Sequence, residues 1–283
     1  MANKVSLPFI FVIGNEKGGV GKTTCCMHLI SALLLENLNV TSIDIDGRQK
    51  SLTSYIANRI AYNKSNPGSM VPISQHFVVE DQDYDHAVEK EQKELEYLQQ
   101  IFTQADNSDV IVIDTPGAHS HLSRVVHAYA DTIITPINDS FVDIDLLAKV
   151  DPIHMKVLRP SIYSEMIWKQ KLIRAKNDNK SIDWIVMRNR LSNLNANNKV
   201  NVSKILEELS QRVNFTVAPG FSERVIFREL FLQGLTLLDL GSANYSKPFT
   251  ASNVAARQEL RNFIKCLGID RLVQVKNNQV CSA

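Results

Sequence analysis

Cysteine is scarce: Cys25, Cys26, Cys266 and Cys281 are the only four in 283 residues. Two are adjacent and the others lie far downstream, so their spacing gives neither a disulfide framework nor a CxxC metal or redox pair. A reduced cytosol is the expected setting. Cys281 stands third from the end, which does not meet the prenylation pattern. No apolar run approaches the ~18 residues of a membrane span. Residues 1–8 lead straight into a strand-like segment, so no secretory leader is expected. Internal repeats and low-complexity tracts are also missing. Charge of one sign is not in excess either, with a net charge of +1. With 44% hydrophobic and 22% charged residues, the composition is that of an ordinary globular chain and excludes disorder as the default.

What charge asymmetry there is lies in two places. Residues 80–96 carry eight acids, from Glu80 to Glu96, against Lys90 and Lys93. From Arg188 to Lys276 there are 13 Lys/Arg and 7 Asp/Glu, a basic late region that could face an anion such as nucleic acid or could simply be solvated surface.

Apolar, β-rich runs fall at 9–13, 40–45, 110–113, 132–135, 184–187 and 215–217, and most lack polar alternation, as strands covered on both faces do. Helix-period segments follow at 22–35, 51–61, 87–102, 122–130, 144–156, 202–213, 223–231 and 251–267. Alternation of the two kinds predicts a doubly wound α/β fold, a mainly parallel sheet with helices on both faces. One domain over 1–283 is expected, with its core at about 8–267 and a tail at 268–283. Residues 62–107 read as a variable insertion plus a helix, of which 62–85 is an insertion or long loop. Residues 159–182 read as a partly helical excursion.

The stretch from Phe9 to Thr24 runs strand, glycine-rich loop, helix start. Gly18, Gly19, Val20 and Gly21 let backbone N–H groups turn inward around phosphate oxygens, and the helix that follows adds its positive end. Lys22 then reaches the β- and γ-phosphates, the Thr23 hydroxyl is placed for Mg²⁺, and Thr24 completes the motif. ATP and Mg²⁺ are therefore the expected ligands. In the general pattern a glycine occupies the position held here by Glu16, and Lys17 is extra.

A second buried strand ends in Asp114-Thr-Pro-Gly117. An acid there is where a phosphate-loop NTPase holds Mg²⁺, and Thr115, Pro116 and Gly117 form a turn able to sense the γ-phosphate. Another strand ends with Asp44 and Asp46, two carboxylates pointing the same way. Such clustering is costly unless a cation is near.

Together, Lys17-Gly-Gly-Val-Gly-Lys-Thr-Thr, Asp44-Ile-Asp46 and Asp114-Thr-Pro-Gly resemble the ParA/MinD family of deviant P-loop ATPases. Further stretches, among them Ile43-Asp-Ile-Asp-Gly-Arg-Gln, Pro136-Ile-Asn-Asp-Ser-Phe-Val-Asp143 and Met187-Arg-Asn-Arg-Leu191, are similar to its MipZ branch, the division-plane regulators of α-proteobacteria. This resemblance extends from about Phe9 to Leu267. It implies a homodimer closed over two ATP molecules, with Lys17 crossing to the partner's phosphates. It also implies that Asp46 positions the attacking water, that Asp44 supports the Mg²⁺ shell, and that Asn189 and Pro219 border the adenine. The implied activity is slow, dimerisation-dependent ATP hydrolysis that regulates division-site placement. The implied partners are a ParB-like partition protein, FtsZ and nonspecific DNA, in a bacterial cytoplasm on the nucleoid and with no membrane anchor. Arg224, Arg228 and Lys199 are the candidate DNA contacts, with Arg190 and Arg212 as further cations. A ParA-type segregation ATPase is the alternative within the fold. A metabolic amidoligase or kinase is disfavoured by Lys17.

His119 and His121 lack a third ligand at metal spacing and read as a loop or helix start. Cys25 and Cys26 read as small core residues, and Trp168 and Trp184 as core or strand residues.

Overall fold

In the computed structural model, residues 7–81, 86–151, 154, 156–191, 196–241 and 250–280 are described. Asp83 and Asp85 of the acidic run and Cys281 lie outside them, and the Lys199 side chain is not described.

The chain folds as β1 (Phe9–Ile13), α1 (Lys22–Leu35), β2 (Val40–Asp44), α2 (Ser51–Ser65), β3 (Gln75–Val78), α3 (Ala87–Gln104), β4 (Val110–Asp114), α4 (His121–Tyr129) and β5 (Thr132–Asn138). Then come α5 (Phe141–Ile144), β6 (Ala148–Asp151), β7 (Lys156–Pro160), α6 (Ile162–Asp178), β8 (Asp183–Asn189), α7 (Ala196–Val213), β9 (Thr216–Ala218), α8 (Ile226–Gln233), α9 (Ala251–Cys266) and α10 (Ile269–Val280). Seven strands make one sheet in the order β3-β2-β4-β1-β5-β8-β9, and every neighbouring pair is parallel.

Side chains alternate across this sheet with the two-residue period of a strand. Phe11, Ile13, Val110 and Val112 enter a core with α1, α2, α8 and α9. Val12, Ile111 and Ile113 enter the opposite core with α3, α4, α6 and α7. Cys25 and Cys26 are buried in the first of these, as packing residues. No helix among the described residues is long and apolar enough to cross a membrane.

Three expectations are corrected, at 144–156, within 62–85 and at Trp168. The helix expected at 144–156 is instead the end of α5 followed by the antiparallel pair β6–β7. Val150 and Val157 are β-branched and favour extended chain. Within 62–85, α2 runs on to Ser65 and β3 adds an edge strand to the sheet. At four residues, Gln-His-Phe-Val, β3 carries too little apolar pattern to announce itself. The tail after Gly268 is helical, and Lys276 Nζ donates to Asp109 Oδ2 at 2.8 Å. Trp168 is 55% exposed on α6, whereas Trp184 is buried in β8 as expected.

The segment that follows the β2 carboxylates is fixed by one buried ion pair. Arg59 of α2 is fully buried; its Nη1 and Nη2 donate to Asp239 Oδ2 and Oδ1 at 2.8 and 2.9 Å. Nε reaches Pro72 O at 2.7 Å and Nη1 also reaches Gly234 O at 2.9 Å. Removing one partner strands a desolvated charge. Asp239→Ala is therefore expected to cost about 3–5 kcal/mol in urea unfolding of the nucleotide-free protein. A change below about 1 kcal/mol would show that the pair does not fasten α2.

Candidate functional site

The loop after β1 begins where glycine is required by its neighbours. A Cβ on Gly14 would lie 2.3 Å from His127 Nε2, so α4 packs directly on the loop's root. Asn15 is buried and braces the loop from below: its Nδ2 donates to Pro136 O at 2.7 Å, and its Oδ1 accepts from Lys17 N at 2.7 Å. Gly19 and Gly21 take φ of +73° and +90°, left-handed values that L side chains rarely adopt. A Cβ at Gly18 or Gly19 would meet nothing within 4 Å, so the space beside these two residues is open. Helix α1 starts at Lys22 with no side-chain cap, which leaves its first N–H groups for a ligand.

Around this loop lies a cleft of about 660 Å³, lined by Gly18, Gly19, Gly21, Lys22, Thr23, Thr24, Asp46, Arg48, Gln49, Ser51, Asp114 to Ala118, Arg190 and Phe231. The volume suits a nucleotide-sized ligand. Lys22 bends back over the loop, its Nζ donating to Lys17 O at 2.8 Å. Burial lowers its pKa, opposed by the charges of Asp114 and Asp46.

Thr23 Oγ1 donates to Asp114 Oδ2 at 2.6 Å, while Asp114 Oδ1 is buried without a partner among the described residues. Desolvation pushes the Asp114 pKa up to about 7, with the Thr23 bond and Lys22 opposing and Asp44 and Asp46 adding to the rise. An orphaned carboxylate oxygen beside a threonine hydroxyl is the donor set a hard, oxygen-liking cation takes, so Thr23 and Asp114 fit Mg²⁺. The turn beyond Asp114 touches the loop: Thr115 Oγ1 donates to Ile13 O at 2.9 Å, and a Cβ on Gly117 would sit 2.9 Å from Gly18 Cα.

The two acids at the end of β2 differ in their surroundings. Asp46 is half-buried and lines the cleft, its Oδ1 accepting from Gln49 N at 3.1 Å. Asp44 was expected beside the metal, yet it is not among the cleft's lining residues. Its Oδ2 accepts from Thr53 N and Oγ1 at 3.0 and 2.9 Å, and its Oδ1 from Asp46 N at 3.0 Å. In this structure it fastens the first turn of α2 and the Asp46 loop. Burial raises its pKa, against those three bonds.

Other expected residues also have local partners. Asn189 is buried beneath the loop, its Nδ2 donating to Val20 O at 2.7 Å, and Pro219 is exposed; neither lines the cleft. Arg224 is turned into Glu259 and Ser252, at 2.6 and 3.0 Å, so its guanidinium is engaged within the fold. Arg228 is exposed, 3.3 Å from Glu223. Lys17 points out of the loop: its Nζ is paired with Asp143 Oδ1 and donates to Val142 O at 3.1 Å. Sequence reasoning missed Asn15, Asp143, Gln49 and Phe231. For Gln49 and Asp143 the available signal was only their place inside quoted motifs.

Replacing Asp114 tests the reading of its carboxylate. A folded-state pKa above the unfolded value means its stabilising contribution is present at low pH and lost as pH rises between about 4 and 7. Asp114→Asn should therefore raise the melting temperature of the nucleotide-free protein at pH 8, with the gain disappearing near pH 4. It should also remove the Mg²⁺-dependent part of ATP affinity, about tenfold or more, in calorimetric titrations with and without Mg²⁺. No gain in stability and intact Mg²⁺ dependence would overturn the assignment.

Comparison with known proteins gives a consistent pattern. The family described as "ATPase MipZ" matches residues 9–271. An uncharacterised protein of Pseudomonas putida is 27% identical over 145 residues, 45% of this chain and 55% of that protein, so the chain spans about half the length of this curated relative. Among solved structures, an ATP complex of an McdA variant from Cyanothece aligns with TM-score 0.60 and 17% identity, over 93% of this chain and 97% of that one. A putative plasmid partition protein of Borrelia burgdorferi bound to AMPPNP aligns with TM-score 0.51 and 18% identity, over 91% and 99%. At such identities the structures establish a shared fold.

Proposed function

The chain belongs to the MipZ family of ATPases, and on that premise we propose that it is an ATP-gated homodimeric switch that helps to place the division site. The observation that carries this reading is the different posture of its two loop lysines. Lys22 lies over its own loop, whereas Lys17 is turned outward, 38% exposed, and held by Asp143 and the Val142 carbonyl. A cation on a P-loop that does not serve that loop's own cleft is suited to serve another.

In this reading, the N–H groups of Gly18 to Thr24 and the Lys22 ammonium bind the β- and γ-phosphates. Thr23 and Asp114 would hold Mg²⁺, which would offset charge on the phosphate oxygens. Asp46 orients a water for in-line attack on the γ-phosphorus; the bond to the β,γ-bridging oxygen breaks, and ADP and phosphate remain. Lys17 leaves Asp143 and reaches the partner's nucleotide, supplying charge to the transition state in the manner of an arginine finger. Val142, 70% exposed beside Lys17, would be covered as the subunits meet. Thr115, Pro116 and Gly117, packed on Gly18, would relay the loss of the γ-phosphate to the dimer face.

Family membership also supports the finer parts of the proposal: a ParB-like protein and FtsZ as partners, and nonspecific DNA as a support for the dimer. For DNA, Arg228 is the described candidate left on the surface, since Arg224 is engaged with Glu259.

Turnover is expected to rise more than linearly with protein concentration, because the site is completed by a second subunit. Lys17→Ala should still bind ATP and should lose this concentration dependence. Asp143→Asn, which frees Lys17, should bring half-maximal specific activity at a lower protein concentration, by about tenfold if one partly buried charge contact of ~1.4 kcal/mol is released. Lys17→Ala with parental turnover would refute the switch. Adding FtsZ tests the biological role: shortened polymers with ATP and unchanged ones with ADP are expected, and no effect with either would refute that role.

A further inference from the structure

One residue of the cleft has no task in that reading. Arg190 follows β8, lines the cleft with Lys22, Thr23 and Thr24, and is exposed. Its guanidinium has no hydrogen-bond or ion-pair partner among the described residues, whereas Arg188 beside it is fully engaged with Asp139 and Ser203. Its backbone is also unusual: φ is +52°, in the left-handed region where a residue with a long side chain is uncommon.

That conformation is imposed from both sides. Asn189 is pinned to Val20 O at 2.7 Å. Leu191 N donates to Phe221 O at 3.0 Å, Glu223 N to Leu191 O at 3.3 Å, and Phe221 N to Arg188 O at 3.0 Å. The chain must turn at 190, and glycine or asparagine would make that turn with less strain. Strained backbone held by its surroundings at a ligand cleft is a pointer to a side chain kept for binding.

Strand order says which part of the ligand it meets. Asp46 follows β2 and Asp114 ends β4, on one side of β1 and its loop; β8 lies on the other side, beyond β5. The Mg²⁺-binding and water-positioning groups occupy the first side, so the nucleoside end of the ligand falls on the second. Arg48 also lines the cleft on the carboxylate side, where Asp81 already engages it at 2.5 Å. We propose that Arg190 is a nucleotide-binding residue whose guanidinium takes the α-phosphate, at the nucleoside end of the cleft. This rests on the nucleotide reading of the site. A planar, permanently charged fork suits a phosphate with two free oxygens.

Arg190→Gly and Arg190→Asn remove the guanidinium and suit the left-handed turn, so both nucleotide-free variants should melt at or above the parental temperature. Calorimetric titration of the full chain should then show ADP binding weakened about tenfold or more, the size of one charge-assisted hydrogen bond. Arg190→Lys should recover part of that loss, and inorganic pyrophosphate should bind all forms alike. ADP affinity within twofold of the parent in both neutral variants would overturn the assignment. An equal loss for ADP and pyrophosphate would also overturn it, because Arg190 would then act on the loop as a whole. A parent chain that binds neither ADP nor ATP would refute the proposed function itself, a result distinct from either of these.

Discussion

The parallel register of β1 against β4 is the constraint on which the site depends. Ile13 lies opposite Asp114, and Asp44 lies opposite Asp114 on the other flank, so three strands end level. Because they end together, the loop after β1 and the acid closing β4 become neighbours without any long side chain having to reach. Thr23 and Asp114 meet at 2.6 Å for this reason, and Thr115 can donate to Ile13 O. A slip of one residue would turn every side chain of a strand to the opposite face. The two apolar cores therefore fix the geometry of the cleft as well as the fold.

Level strand ends bring a concentration of charge that the fold alone does not balance. Asp44 and Asp114 converge with Lys22 where burial opposes ionisation; the Asp114 carboxyl is pushed up to about 7, the Asp44 carboxyl is also raised, and the Lys22 ammonium is pushed down. Asp44 meets this by capping α2 through Thr53. Asp114 keeps one oxygen without a partner among the described residues, which a divalent cation and polyphosphate would answer together. Lys17 shows the same economy at the rim, where Asp143 holds its charge in the absence of another anion. On the proposed reading, binding would exchange internal contacts such as Lys17 with Asp143 for contacts to the ligand, and this is how a ligand can shift a protein between two arrangements.

Much of this was legible in the sequence. Phe9–Ile13 and Lys22–Leu35 fall where apolar runs and helix period place them, because a buried central strand and its helix have little else to satisfy. The phosphate loop, Thr23 and Asp114 follow from motif and context. Less legible was anything set by a partner distant in sequence. Nothing near Lys17 announces Asp143, 126 positions away, and nothing near Arg224 announces Glu259. Edge strand β3 was hidden because a strand paired on one side needs no apolar run. Asp44 and Asp46 share a strand end but not an environment, and period-two reasoning cannot separate them. Strain at Arg190 is likewise invisible without the backbone.

The central claim is that one chain holds half of a composite site. It is tested most directly by sedimentation velocity on the full chain with ATP and Mg²⁺, with ADP and Mg²⁺, and without nucleotide. The account requires a dimer with ATP and monomers in the other two conditions. The same sedimentation coefficient in all three would contradict it.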